Sequence, residues 1–135
     1  MIDIQIYNNS NLAKIPRKKI DHVVRSICIG EHCTEAQIRI IYETDDVVHN
    51  LNREFLGHDY TTDVITFPIE ERPIEGEIYI SADTATVQAE EYNETITSVL
   101  VRLAAHGALH LVGYDDGTEH ERNQMSSLET YYMKL

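Results

Sequence analysis

The sequence predicts an α+β fold, a small four-stranded mixed sheet packed by about five helices with one buried helix at its centre. Three observations predict it. Strand-like alternation and helical spacing take turns through the first half of the chain, whereas the second half is helical. The stretch Val99-Leu100-Val101-Arg102-Leu103-Ala104-Ala105 is apolar nearly all round, a pattern that a helix satisfies only in a central position. The chain has 135 residues, 42% of them hydrophobic, which suits a single domain over 1–135 with a core of its own.

Each element follows from local chemistry. Ile2, Ile4 and Ile6 alternate with Asp3 and Gln5, the period of a half-buried strand. Pro16 suits a first helical position, where its missing N–H would lack a partner anyway. Ile20, Val23, Val24, Ile27 and Cys28 then follow at helical spacing up to Gly30. Ala36 to Tyr42 reads as a strand with Ile38, Ile40 and Tyr42 facing one way. Thr44 is placed to cap a helix carrying Val47, Val48, Leu51 and Phe55, which Gly57 stops.

Asp63 to Phe67 is a short strand ended by Pro68, and Ile69 to Glu75, holding Glu70, Glu71 and Pro73, is a loop. Glu77 to Ile80 is the fourth strand, able to pair with the third across that long loop. Ser81 caps a short helix through about Glu91, and a longer helix runs from about Glu94 to Val112, ended by Gly113. Thr118 and Glu121 have the spacing of a capping box, opening a last helix that turns Met125, Leu128 and Tyr132 inward.

Composition excludes several function classes. Eleven Lys and Arg stand against 23 Asp and Glu, a formal charge of −12. A protein that coats duplex nucleic acid must displace counterions and is normally basic, so that class is set aside. No apolar run approaches the ~20 residues of a membrane helix. The N-terminus lacks the basic start and apolar stretch of a signal peptide. Two cysteines make no disulfide scaffold. The expected location is the cytoplasm, with no membrane partner and no DNA partner.

The chemistry is concentrated in His106-Gly107-Ala108-Leu109-His110, in the last turns of the buried helix. Residues four apart stand one above the other, ~6 Å along the axis, and two imidazoles so placed can hold one metal ion. Two core histidines satisfied by neighbours are the structural alternative, but two unpaired buried imidazoles would cost several kcal/mol, on the order of the penalty for any buried unpaired polar group. Past Gly113 the chain turns back through Tyr114-Asp115-Asp116-Gly117, so a third ligand can swing beside the pair. Asp116, Asp115 and His120 are the nearby candidates. Two histidines and a third ligand leave a position open, the catalytic form of a zinc site.

His106-Gly-Ala-Leu-His110-Leu-Val-Gly-Tyr-Asp115 resembles the signature of the YbeY family, the metal-dependent rRNA endoribonucleases of bacteria. Two further blocks agree in order and spacing: Leu51-Asn-Arg-Glu-Phe-Leu-Gly-His-Asp59 followed by Thr62-Asp-Val-Ile-Thr-Phe-Pro68, and Gly76-Glu-Ile-Tyr-Ile-Ser81. The resemblance covers nearly the whole chain. It implies a single-strand-specific endoribonuclease acting in small-subunit rRNA maturation and ribosome quality control. Its partners would be single-stranded rRNA and the small ribosomal subunit. It also implies one divalent metal held by His106, His110 and Asp116, and zinc suits that ligand set.

Two positions depart from the family pattern. Asp116 stands where the usual third ligand is a histidine, and Leu56 stands where many relatives carry an arginine suited to a phosphate. Arg53, one helical turn earlier, could stand in for it or could be a solvated surface residue. The Glu that follows the first histidine in H-E-x-x-H peptidases is Gly107 here, so no general base is built into the helix. A zinc metallopeptidase-like hydrolase is therefore the weaker alternative. A non-catalytic assembly factor with a structural metal is the third.

Asp63 is a candidate base only because the family block has a polar residue there. A strand-end carboxylate that caps backbone is its plainer role. Lys14, Arg17, Lys18 and Lys19 form the basic cluster, either a solvated helix start or an RNA-backbone contact. Cys28, His32 and Cys33 match no common zinc spacing and read as a buried thiol beside surface residues. Of Tyr131 and Tyr132, one is expected in the core and one outside.

Overall fold

The computed structural model describes residues 1–135. Nine elements follow in order: β1 (Ile2–Asn8), α1 (Arg17–Gly30), β2 (Ala36–Glu43), α2 (Asp45–Leu56), β3 (Val64–Glu71), β4 (Ile74–Ser81), α3 (Ala82–Glu91), α4 (Ile96–Leu111) and α5 (Glu119–Met133). The sheet order is β1-β2-β4-β3. β1, β2 and β4 run parallel, and β3 pairs antiparallel with β4 as an edge strand. This is the α+β architecture with a four-stranded mixed sheet and five helices that the sequence predicts.

One face of the sheet carries the core. Ile38, Ile40, Tyr42, Ile78 and Ile80 share this face and are at most 1% exposed. α4 packs on β3 and β4 and touches α1, α3 and α5 as well, so it is the central helix. Two details fix its seat. The buried Tyr42 hydroxyl donates to the Leu100 carbonyl at 2.8 Å, tying sheet to helix. At Gly107 the helix comes so close to β4 that a Cβ would stand 2.6 Å from Ile78 Cγ2. Leu100, Leu103 and Ala104 are all buried, as their apolar run predicts. The other face is partly wet: Arg39 lies between Glu75 (3.3 Å) and Glu77 (2.9 Å) on the neighbouring strand.

Several local expectations are corrected. Pro68 does not end the third strand. β3 continues through it to Glu71, with Pro68 opposite Gly76 and a register shift between Pro68 and Glu70. On an edge strand at a bulge, a missing N–H removes no needed ladder bond. β4 accordingly begins at Ile74, and the long loop shrinks to a turn at Arg72 and Pro73.

Pro16 sits at the N-cap of α1, one place before the first helical residue. Thr44 holds the N-cap of α2, but its side chain makes no cap bond, and the Asp83 carboxylate accepts from the Asp45 N–H at 2.9 Å instead. α2 buries Val48 and Asn52, leaving Val47 and Phe55 exposed. Leu128 is only partly buried. α4 starts at Ile96, with Thr95 as its cap accepting from the Ser98 N–H.

Candidate metal centre

The end of α4 is closed by a Schellman motif. The Gly113 N–H bonds the His110 carbonyl (3.0 Å) and the Tyr114 N–H bonds the Leu109 carbonyl (3.0 Å), with Gly113 at φ 112°. That left-handed position favours glycine and folds the chain back over its own last turn. Asp116 is thereby carried to the two histidines one helical turn apart on α4. Its Oδ2 lies 3.2 Å from His106 Nε2 and 3.3 Å from His110 Nε2, and the two Nε2 atoms are 3.2 Å apart. Ligand atoms at ~2.0–2.1 Å from a tetrahedral zinc are separated by about 3.3–3.4 Å. The triangle therefore has the size of one face of such a site.

The other ring nitrogens explain why both Nε2 atoms can offer lone pairs. His106 Nδ1 faces the Glu129 carboxylate at 2.8 Å, and His110 Nδ1 faces the Tyr114 main-chain carbonyl at 2.9 Å. Both partners accept, so each Nδ1 carries the hydrogen and each Nε2 is left as a donor atom toward the centre. A metal-ligating histidine is normally oriented in this way by its outer partner. Two lone pairs and a carboxylate oxygen converging so closely suit a cation. Burial pulls the His106 imidazole's pKa down, but the hydrogen bond and charge of Glu129, with the charges of Asp116 and Asp63, more than offset it. The pKa lies above the usual histidine value.

The triangle opens into a cleft of about 430 Å³ between α4 and the β3 edge, walled by Leu56, Asp63, Thr66 and Asp115 among others. Of the three candidates past Gly113, the structure brings Asp116 to the histidines. Asp115 lines the cleft outside the group, and His120 is exposed on the first turn of α5. Asp63 is in the cleft wall, but its Oδ2 accepts from the Gln88 amide at 3.0 Å and its carbonyl from the Ser81 N–H at 2.9 Å.

Leu56 supplies an apolar wall to the cleft. Arg53 turns away to Asn50 Oδ1 at 2.8 Å. In the basic cluster, Arg17 donates to the Ile6 carbonyl at the end of β1 (2.6 Å). Cys28 is buried, its thiol pushed up to about 12 by burial and by Cys33, and it forms no ligand cluster with His32. Tyr132 is core and Tyr131 exposed, as expected.

Sequence reasoning missed Glu129 and the carbonyl of Tyr114. The first had a signal. Met125, Glu129 and Tyr132 form the buried stripe of α5, and a carboxylate on such a stripe needs a buried partner. The second had none, because main-chain groups leave no trace in residue identity.

The model of the family described as Endoribonuclease YbeY matches residues 4–135. The chain belongs to the YbeY family. Family relatives agree over its length. The Endoribonuclease YbeY of Chlorobium phaeovibrioides (strain DSM 265 / 1930) is 37% identical over 133 residues, covering 98% of this chain and 89% of the relative. That of Chlorobium chlorochromatii (strain CaD3) is 39% identical over 128 residues, covering 94% and 82%. A solution structure of a Thermotoga maritima protein superposes with a TM-score of 0.69 at 27% identity, covering 97% of this chain and 87% of that one. YbeY membership makes this an endoribonuclease, a hydrolase acting on RNA, and gives the His/Asp group a chemical context.

Proposed function

We propose that residues 1–135 act as one endoribonuclease domain that cuts single-stranded regions of small-subunit rRNA during maturation and ribosome quality control, in the cytoplasm, with one zinc ion held by His106, His110 and Asp116. The observation that carries the reading is the triangle of ligand atoms 3.2–3.3 Å apart at the floor of the cleft, with both Nδ1 atoms already engaged. When bound, the metal would supply a Lewis acid for the phosphodiester and lower the pKa of water.

The chain's own residues do the rest. Glu129 and the Tyr114 carbonyl hold the imidazole planes, and Asp116 offsets one of the metal's two charges. Leu56 and Thr66 present apolar and neutral groups beside an acidic floor. A chain of net charge −12 lacks the basic surface that holds a duplex, so an unpaired segment delivered by the ribosomal particle is the fitting substrate.

A peptidase of the H-E-x-x-H kind is disfavoured by position 107. A Cβ there would overlap the Ile78 side chain at 2.6 Å, so a glutamate would force β4 or α4 to shift. A purely structural metal is disfavoured because no fourth protein ligand joins the three.

The test is cleavage of a labelled single-stranded RNA and of its duplex, with and without chelator, beside a generic peptide substrate. Loss of single-strand cleavage on chelation and its return with zinc support the reading. Cleavage indifferent to chelator, or peptide hydrolysis alone, overturns it.

A further inference from the structure

A single carboxylate is bonded to both of the segments that carry the partners of His106 and His110. Glu31, at the C-cap of α1, accepts the Tyr114 hydroxyl on Oε1 at 2.6 Å and the Tyr132 hydroxyl on Oε2 at 2.5 Å. Tyr114 is the residue whose carbonyl orients His110. Tyr132 lies three residues beyond Glu129 on the buried stripe of α5, and Glu129 orients His106. Each oxygen of Glu31 thus leads to one histidine.

A second, independent feature serves the same arrangement. At Gly30, the residue before Glu31, a Cβ would overlap the Tyr132 hydroxyl and stand 2.8 Å from its Cε1. The backbone leaves that space so that the phenol can pass to the carboxylate. Glu31 is distant in sequence from both tyrosines, so it joins α1, the turn after α4, and α5.

We propose that Glu31 is a positioning residue of the metal centre, fixing the imidazole planes of His110 and His106 through Tyr114 and through α5. The proposal rests on the ligand set given under the proposed function. Charge-assisted bonds from two phenols to one carboxylate are short and directional, so they can define where a turn and a helix sit. Burial and the Glu31 hydrogen bond both raise the Tyr132 pKa, and the Glu31 bond raises that of Tyr114. Both hydroxyls stay protonated and able to donate.

The test uses Co²⁺ as the probe, because its visible absorption reports coordination geometry without any RNA. Wild-type protein is expected to bind Co²⁺ with the intense bands of a four-coordinate site. Glu31→Ala should weaken binding about 10–100-fold, the usual effect of losing an outer partner, and should shift or broaden the bands. Tyr114→Phe keeps the ring and loses one hydroxyl, so it decides the matter even if Glu31→Ala folds poorly. It should weaken binding several-fold, less than Glu31→Ala, because it removes only one of the two bonds to Glu31 and leaves that of Tyr132 in place.

Glu31→Gln retains one acceptor oxygen and should fall between Glu31→Ala and wild type. Asp21→Asn, which breaks an exposed pair with Arg25 on the same helix, is expected to leave the spectrum unchanged. Wild-type Co²⁺ affinity and spectrum in both Glu31→Ala and Tyr114→Phe, even with lowered urea midpoints, would overturn the positioning role alone. Failure of the wild type to bind Co²⁺ would overturn the ligand set and this inference together.

Discussion

At the residue scale the clearest question is which side chain closes the triangle. Asp116 lies within 3.3 Å of both histidines, whereas His120 faces solvent on α5. Asp116→Ala should weaken zinc binding by more than the 10–100-fold of an outer-partner loss, and His120→Ala should change it little. Asp116→His should keep the metal and, by adding one unit of positive charge, move the rising limb of the pH–rate profile to lower pH. Zinc titrations of the three variants check the assignment. A large loss in His120→Ala beside an intact Asp116→Ala would reverse it.

His106 gives a pH signature of its own. Its pKa in the folded, metal-free protein is raised, so the unfolded chain releases its proton first. The stabilisation from this group is fully present below the ordinary value of about 6.5 and is lost as pH rises through the folded-state pKa. Urea midpoints measured in chelator should therefore fall on going from pH 6 to pH 8, and His106→Asn should flatten that part of the curve. The same proton competes with zinc, so zinc affinity should fall as pH drops through this range.

At the scale of elements, α4 carries both the centre of the core and the histidine pair. Leu103 is 7% exposed on the central helix, and Leu103→Ala should cost ~2–5 kcal/mol, read as a shift in the urea transition. A cost below about 1 kcal/mol would mean that the site around it collapses freely, against the close fit at Gly107 and Ile78. α4 was legible because its period and composition agree. β3 was not. Pro68, Glu70 and Glu71 carry turn and surface chemistry, and only the edge position, a tertiary fact, lets them lie in a strand. α2 was legible as a helix but not in its burial. Its inner face is Val48 and Asn52, the Asn52 amide donating to the Tyr60 carbonyl at 2.9 Å, while Phe55 stays outside.

At the scale of the whole molecule, the order and number of elements followed from pattern, and the convergence of His106, His110 and Asp116 from spacing and resemblance. The supports of those residues did not follow, because Glu129 and Glu31 come from other helices and meet the site only after packing. Net charge also acts at this scale. A protein at −12 has few cations to exchange for RNA counterions. The salt dependence of RNA binding should therefore be shallow, with a log–log slope smaller in magnitude than about 2, the value for roughly three phosphates on a single strand. Filter binding of an unpaired RNA between low and moderate salt measures it, and a slope several times steeper would reveal a basic tract hidden by the average.

The ligand triangle also bears on the denatured chain. Its three donors lie within residues 106–116, as does the Tyr114 carbonyl, and need only one helical turn and one reversal to converge, whereas Glu129 is 23 residues from His106 and Glu31 is 83 from Tyr114. A divalent ion can therefore find much of its cage in a short fluctuating segment before the sheet exists. It would then favour the last turn of α4 in the unfolded ensemble, where two imidazoles pinned one turn apart offset part of the cost of starting a helix. The ion would act on both sides of the folding equilibrium, and the stability gained on loading would fall short of what its affinity for the native protein alone implies.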